Sequence, residues 1–248
     1  MSPLLKLNDS KTEFLVIGSK FARTKPEVNT IVIGDESIEV ASSARNIGVM
    51  MDSNLTMADH ISNICKSSYL NLRNISQIRR YLTQDATATL IHSLVTSRLD
   101  NLNALLFGLP DYMITKLQKI QNHAAKLVVK KKKYDHVTPI LQSLHWLPIK
   151  FRIQYKILLI THKCLHGLAP EYLSSRVKRH VPGRSLRSCV DLHLLVEKKA
   201  PQSYGKRAFS FAAPTLWNEL PLDLRKCENL HAFKSKVKTH LFRKAFDV

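Results

Sequence analysis

The period of the hydrophobic positions changes near residue 52. Before it, Ile31 and Ile33 alternate with polar neighbours on one side of Gly34-Asp35-Glu36-Ser37, and Ile38 and Val40 do so on the other. That period-two pattern is two paired strands joined by a turn. Residues 13–17 (Glu-Phe-Leu-Val-Ile), ending at Gly18, and residues 47–51 (Ile-Gly-Val-Met-Met) read as two further strands. Beyond Asp52 and Asn54, either of which can cap a helix, the spacing becomes three and four at Ile61, Ile64, Ser68, Leu72, Ile75 and Ile78, the stripe of a long amphipathic helix. Thr83 caps a second helix that runs through Leu90, Ile91, Leu94 and Val95 towards Leu106 and stops at Gly108 and Pro110. A third carries Ile114, Leu117, Ile120, Gln121, Ala124 and Leu127 and ends in the Lys130–Lys133 run. Three successive helices with short connections imply a bundle.

From Tyr134 onward prolines punctuate the chain. Pro139 follows Thr138, and Pro148 precedes the stripe Ile149, Ile153, Ile157 and Ile160, which Gly167 closes. Residues 190–196 read as extended, and Leu230, Phe233, Val237 and Leu241 mark a closing basic helix. The expected fold is mainly α with a small N-terminal β-hairpin, an α+β class in three segments: 1–53, 54–133 and 134–248.

Composition narrows the class. No apolar run reaches the roughly 18 residues of a membrane span, and MSPLLKLNDSKTEF has neither the basic flank nor the apolar stretch of a secretion leader. An intracellular protein, nuclear or cytoplasmic and without a membrane partner, is expected. Cys65, Cys164, Cys189 and Cys227 are irregularly spaced and read as reduced thiols. Charge says more. Of 38 basic and 19 acidic residues, positions 1–125 hold 13 and 11, which leaves 25 and 8 for the remainder. An excess so confined repels itself unless a polyanion neutralises it, so RNA or DNA is the expected partner.

Several blocks carry a resemblance. Leu5-Lys6-Leu7-Asn8, Lys11-Thr12-Glu13 and Ile47-Gly48-Val49 followed by Asp52 and Leu55 resemble the end of the palm in reverse transcriptases of non-LTR (LINE-type) retrotransposons, the jockey-like and chicken-repeat-like groups. Further on, Gly108-Leu109-Pro110, Leu117 to Ala125 (LQKIQNHAA), Leu144-His145-Trp146-Leu147-Pro148, Lys163 to Pro170 (KCLHGLAP) and Ala213 to Pro221 (APTLWNELP) resemble, in the family's order, the segments that follow the polymerase domain. The resemblance implies a palm remnant with a primer-grip-like hairpin over 1–53, a thumb-like bundle over 54–133 and a basic C-terminal domain over 134–248. It further implies a role in holding template and primer during target-primed reverse transcription.

One departure bears on chemistry. Nucleotide transfer in this family uses two divalent ions held by palm carboxylates, usually including an Asp-Asp pair. No such pair occurs in this sequence. The expected reading is therefore nucleic-acid binding without autonomous polymerase activity and without a cofactor, Mg2+ belonging only to an intact parent polymerase. By resemblance Lys11 matches the lysine of the fourth palm motif, vestigial here, and Ile47, Gly48 and Val49 match the primer grip. Two rival readings stay open: the non-functional product of a decayed insertion, and a domesticated interaction protein.

Other constellations are weaker. His162, Cys164 and His166, with Cys189 and His193, lack the paired spacing of closed zinc sites. No nucleophile elbow or phosphate-cradling glycine loop occurs. The basic clusters are the candidate binding residues: Lys126 with Lys130, Lys131, Lys132 and Lys133; Arg179, Arg184 and Arg187; Lys206 and Arg207; and Lys234 and Lys238. Trp146 and Trp217 sit in apolar contexts and read as core anchors.

Overall fold

Two short hairpins precede a run of helices in the computed structural model, which describes residues 11–18, 29–34, 36–132, 134–180, 193–195 and 204–247. It divides into two compact units, Met1–Lys66 and Ser67–Val248.

In the first unit, β1 (Thr30–Ile33) and β2 (Glu36–Glu39) pair antiparallel with Ile31 opposite Ile38, and Glu36 and Ser37, expected in the turn, open β2 opposite Ile33 and Val32. A second, separate hairpin joins β3 (Ser43–Asn46) to β4 (Val49–Asp52). The strand expected over 47–51 thus begins only at Val49. Ile47 and Gly48 form the two-residue turn, both at positive φ (47° and 82°), the geometry that matches the right-handed twist of a tight hairpin. Residues 13–17 are likewise not a strand. Phe14 makes a lone parallel bridge to Val40, and the next cross-chain bond is Gly18 N–H to the Ser53 carbonyl, too far along to continue a ladder.

Asp52 organises the approach to the first helix. Its carboxylate accepts from the backbone N–H of Asn54, Thr56 and Met57 and from the Thr56 hydroxyl, at 2.8–3.0 Å. Burial alone would raise its pKa, yet these four donors favour the anion more and hold it below the ordinary aspartate value. Helix α1 (Ala58–Ile78) follows.

The second unit contains α2 (Gln84–Ile91), α3 (Ser97–Asp100), α4 (Asp111–Val128), α5 (Thr138–Ser143) and α6 (Ile149–Leu165). After these come α7 (Glu171–Ser174), α8 (Phe209–Asn218), α9 (Leu222–Arg225) and α10 (Leu230–Phe246). Thr83 caps α2 as expected, its hydroxyl accepting from Ala86 N–H. The single helix expected from there to Leu106 is broken. His92–Thr96 widens into a π-turn, Asn101 is extended, Leu102 is left-handed (φ 51°), and Asn103–Leu106 resumes as a 3-10 turn. The hydroxyls of Thr89, Ser93 and Ser97 each bond the carbonyl four residues back, which loosens the helical ladder along this stretch.

Helix α6 is the central element, packed by α4, α8 and α10. On its inner face His162 is fully buried, stacked between His166 (centroids 4.0 Å) and Phe233 (4.2 Å), with Trp217 beside Phe233 at 5.8 Å. Aromatic burial of this kind is worth about 3–5 kcal/mol per ring on truncation to Ala. His162 Nε2 meets the Cys227 carbonyl at 2.8 Å, so the His162/His166 pair faces a core and does not converge on a point. Asn218 clamps Leu194, accepting from its N–H at 2.8 Å and donating to its carbonyl at 2.9 Å. Leu194 in turn bridges Arg179 antiparallel. Of the extended stretch expected over 190–196, only 193–195 lie within the described residues. Cys164 and Cys227 are reduced thiols, and Cys189 lies outside the described residues.

Helices α4 and α6 are locked by amides. Gln121, 3% exposed, donates to the Leu147 carbonyl at 2.8 Å. Gln118 donates to the side-chain oxygens of Gln121 and Asn122, and its own oxygen accepts from Ile149 N–H at 2.8 Å. Arg79, also buried, donates to the carbonyls of Leu82, Leu127 and Val128, two of which close α4. A cation there also suits the negative end of the helix dipole.

Replacing Gln121 with Leu leaves the buried Leu147 carbonyl without its donor. Urea unfolding should then show a loss of about 1–3 kcal/mol; a change within experimental error would refute the clamp. A second expectation concerns pH. Burial foremost, helped by His166 and opposed by the Cys227 carbonyl, lowers the His162 pKa below 6.5. The unfolded chain therefore takes up a proton that the folded chain refuses, and stability falls as pH drops below about 6.5. H162F should flatten that part of the stability–pH curve, and an unchanged curve would count against a neutral buried imidazole.

Candidate nucleic-acid interface

On α4 the apolar and amide face turns inward, which leaves the opposite stripe to solvent. Lys119, Asn122, His123 and Lys126 recur at three- and four-residue spacing and so share that stripe. With Leu127 and Lys131 they line an open cavity of about 430 Å³. His123 is held edge-on to Tyr69 of α1 at 6.2 Å, which fixes the wall of the groove.

The chain turns at the end of this helix in a way that presents lysines. Val129 N–H bonds the Ala125 carbonyl and Lys131 N–H bonds the Lys126 carbonyl at 2.9 Å, with Lys130 between them at φ 54°. This is the left-handed helix stop usually made by glycine. The same stop recurs with His145 after α5 (φ 53°, Trp146 N–H to the Leu141 carbonyl) and with Gly167 after α6 (φ 69°, Leu168 N–H to the Lys163 carbonyl). Lys130, Lys131 and Lys132 are therefore no helical extension. They form a reversal that returns Lys131 to the groove, while Lys132 N–H is held by the Asp135 carboxylate at 2.7 Å.

The remaining candidates separate. Arg179 lines a different cavity, about 360 Å³, together with His166, Arg225 and Lys226. Lys238 lines a third, about 470 Å³, with Arg152 and Lys156 of α6. There Arg152 grips Asp100 through two hydrogen bonds, and Trp146 meets His92 edge-on at 5.2 Å. Burial first, then the Arg152 charge, lowers the His92 pKa against the opposing pull of Asp100. Lys206 and Lys234 are exposed. Arg207 is half-buried against the Gly108 turn, where a Cβ on Gly108 would come within 2.8 Å of its Cγ, so its stem serves packing. Lys133, Arg184 and Arg187 lie outside the described residues. Lys11 is exposed, Ile47 stands 83% exposed at its turn beside Gly48, and Val49 is fully buried.

Lys119, Asn122, His123, Arg152, Lys156, Arg225 and Lys226 were not singled out from sequence. The first three were readable from their helical spacing, being the polar complement of the Leu117, Ile120, Gln121 and Ala124 stripe. The others are scattered, and only the fold assembles them. No described helix is long and apolar enough to cross a membrane. Comparison with protein-family models, with curated proteins and with solved structures gives no match.

A non-glycine residue in the left-handed region costs about 1–2 kcal/mol. K130G should therefore raise the unfolding free energy by up to about 1 kcal/mol, whereas K130A should not. A destabilised K130G would show that the lysine stem, not the backbone, decides this position.

Proposed function

We propose that this chain binds nucleic acid through its phosphate backbone, as the thumb-like and basic C-terminal parts of a non-LTR retrotransposon reverse transcriptase would when holding template and primer. The observation that carries the reading is the α4 groove, where Lys119, Lys126 and Lys131 converge with His123 and Asn122 around one concavity. Lysines act as point charges towards phosphate, and an amide and an imidazole add hydrogen bonds that position a strand without reading sequence. The charge balance supports the same partner: 25 basic residues against 8 acidic over 126–248 leaves cations that no one-to-one internal pairing neutralises.

In this reading the β3–β4 hairpin is the primer-grip-like element, with Ile47 and Gly48 at its tip, and the chain contributes grip rather than chemistry. Lys11 has no catalytic part in it, because a general acid needs positioned partners and metal-bound substrate.

The groove makes a quantitative prediction for fluorescence anisotropy with labelled single-stranded RNA and an RNA–DNA duplex across a salt series. The triple variant K119Q/K126Q/K131Q should bind more weakly and flatten the slope of log K against log salt by about 2 for a single strand. A variant with unchanged affinity and slope would refute the groove. Wild-type protein that is monodisperse yet fails to bind either probe would refute the function, and insoluble protein would favour the decayed-insertion reading.

A further inference from the structure

The cavity between α6, α10 and the α5–α6 turn has a composition the phosphate grip does not explain. Three cations meet there, Arg152, Lys156 and Lys238, against a single carboxylate, Asp100, already held by Arg152. Beside them stand aromatic surfaces from Trp146, Tyr155 and His92. Asn103, 4% exposed, also lines the cavity, and its Oδ1 is buried without a donor. An orphaned acceptor of that kind is costly until a donor reaches it, and native structures rarely keep one without use.

Backbone irregularity gathers at the same place. The π-turn starts at His92, the left-handed Leu102 immediately precedes Asn103, and the left-handed His145 immediately precedes Trp146. Both left-handed residues carry side chains, so each is strained, and strain of this sort persists where surrounding packing over-determines it, commonly at ligand sites. At about 470 Å³ the cavity falls in the range of small-molecule sites.

We propose that this cavity receives one nucleotide unit, its base against the Trp146 and Tyr155 side and its phosphate on Lys156 and Lys238. A flat ring joined to an anion is the ligand that satisfies aromatic walls and unneutralised cations together. The Asn103 oxygen adds an acceptor for a base's exocyclic amine. This deepens the nucleic-acid reading and rests on it: the α4 groove holds the strand by charge, and the cavity takes an unstacked residue. The same chemistry is offered by a free mononucleotide, so the unit's source is a matter for experiment.

The test uses the full chain and 2-aminopurine, whose emission falls on stacking. The probes are 2-aminopurine ribonucleoside 5′-monophosphate, a short single-stranded RNA with one 2-aminopurine, and the same RNA abasic at that position. Quenching of the RNA probe, with the abasic strand bound about tenfold more weakly, places a strand residue in the cavity. Quenching of the monophosphate alone makes the site one for free nucleotide. In either case K156Q/K238Q, two exposed positions whose fold is checked by circular dichroism, should abolish the quenching, whereas K119Q/K126Q/K131Q should spare that of the monophosphate. If neither probe is quenched, or quenching survives in K156Q/K238Q, the proposal is overturned. Strand affinity measured by anisotropy in the same samples then shows separately whether the groove reading stands.

Discussion

Two glutamines on α4 tie that helix to the turn that opens α6. The turn between α5 and α6 is buried, and its polar backbone must be paired within the protein or pay the full cost of desolvation. Gln121 supplies the donor for the Leu147 carbonyl, and Gln118 supplies the acceptor for Ile149 N–H. Because both amides project from the inner face of α4, satisfying the turn also fixes the rotation of α4 about its axis. That rotation puts Lys119, His123 and Lys126 on the outer stripe. The same clamp holds Trp146 in place as a wall of the cavity on the other side of the turn. Groove and cavity are thus two consequences of one hydrogen-bonding requirement.

Helix ends show a related economy. Four of the described helices stop with a left-handed residue, at Lys130, His145, Gly167 and Asp247, yet only the stop after α6 uses glycine. Lys130 and His145 occupy two of the others, at a conformational cost that glycine would avoid. Each of these two lies at the edge of a candidate site, where a side chain offers charge or a ring that glycine cannot. At these two helix ends strain and useful chemistry coincide, whereas the left-handed Leu55, Met57 and Asp247 line neither site.

Much of the fold was legible because it depends on local periodicity. The alternation of Ile31 and Ile33, then of Ile38 and Val40, on either side of Gly34 marks the hairpin in which Ile31 faces Ile38, and the Ile61-to-Ile78 stripe matches α1 closely. The failures have physical causes. Leu15, Val16 and Ile17 have the residue types of a strand, but a strand exists only when a partner ladder does. Ile47 has a β-branched side chain, so propensity places it inside a strand, while the two-residue turn forces it to positive φ. The apolar period runs on past Val95 to Leu106, and nothing in it reveals the break at Asn101 and Leu102. Of the candidate site, the Lys126–Lys131 end was visible as a charge run and the rest of the groove as a helical spacing. The Arg152–Lys156–Lys238 cavity was not, because Lys238 on α10 lies 82 positions beyond Lys156, and Arg152 and Lys156 sit among apolar residues on α6.

Separation of the basic residues into three cavities changes what the net charge means. A single continuous track would bind any polyanion in proportion to its length. Here the clusters differ in what accompanies the cations: amide and imidazole on α4, aromatic rings and an orphaned amide oxygen beside α6, and the His166–Trp217 edge near Arg179. Charge is long-ranged and screened by salt, so it governs approach and overall affinity. Rings and amides act only on contact, and they govern which part of the ligand settles where. A chain whose cations were only a solvated surface would have no reason to surround one group with strained backbone and buried aromatics while leaving another on an open helical stripe. The division of neighbours, more than the number of lysines, is what favours the proposed strand binding over a merely solvated basic surface.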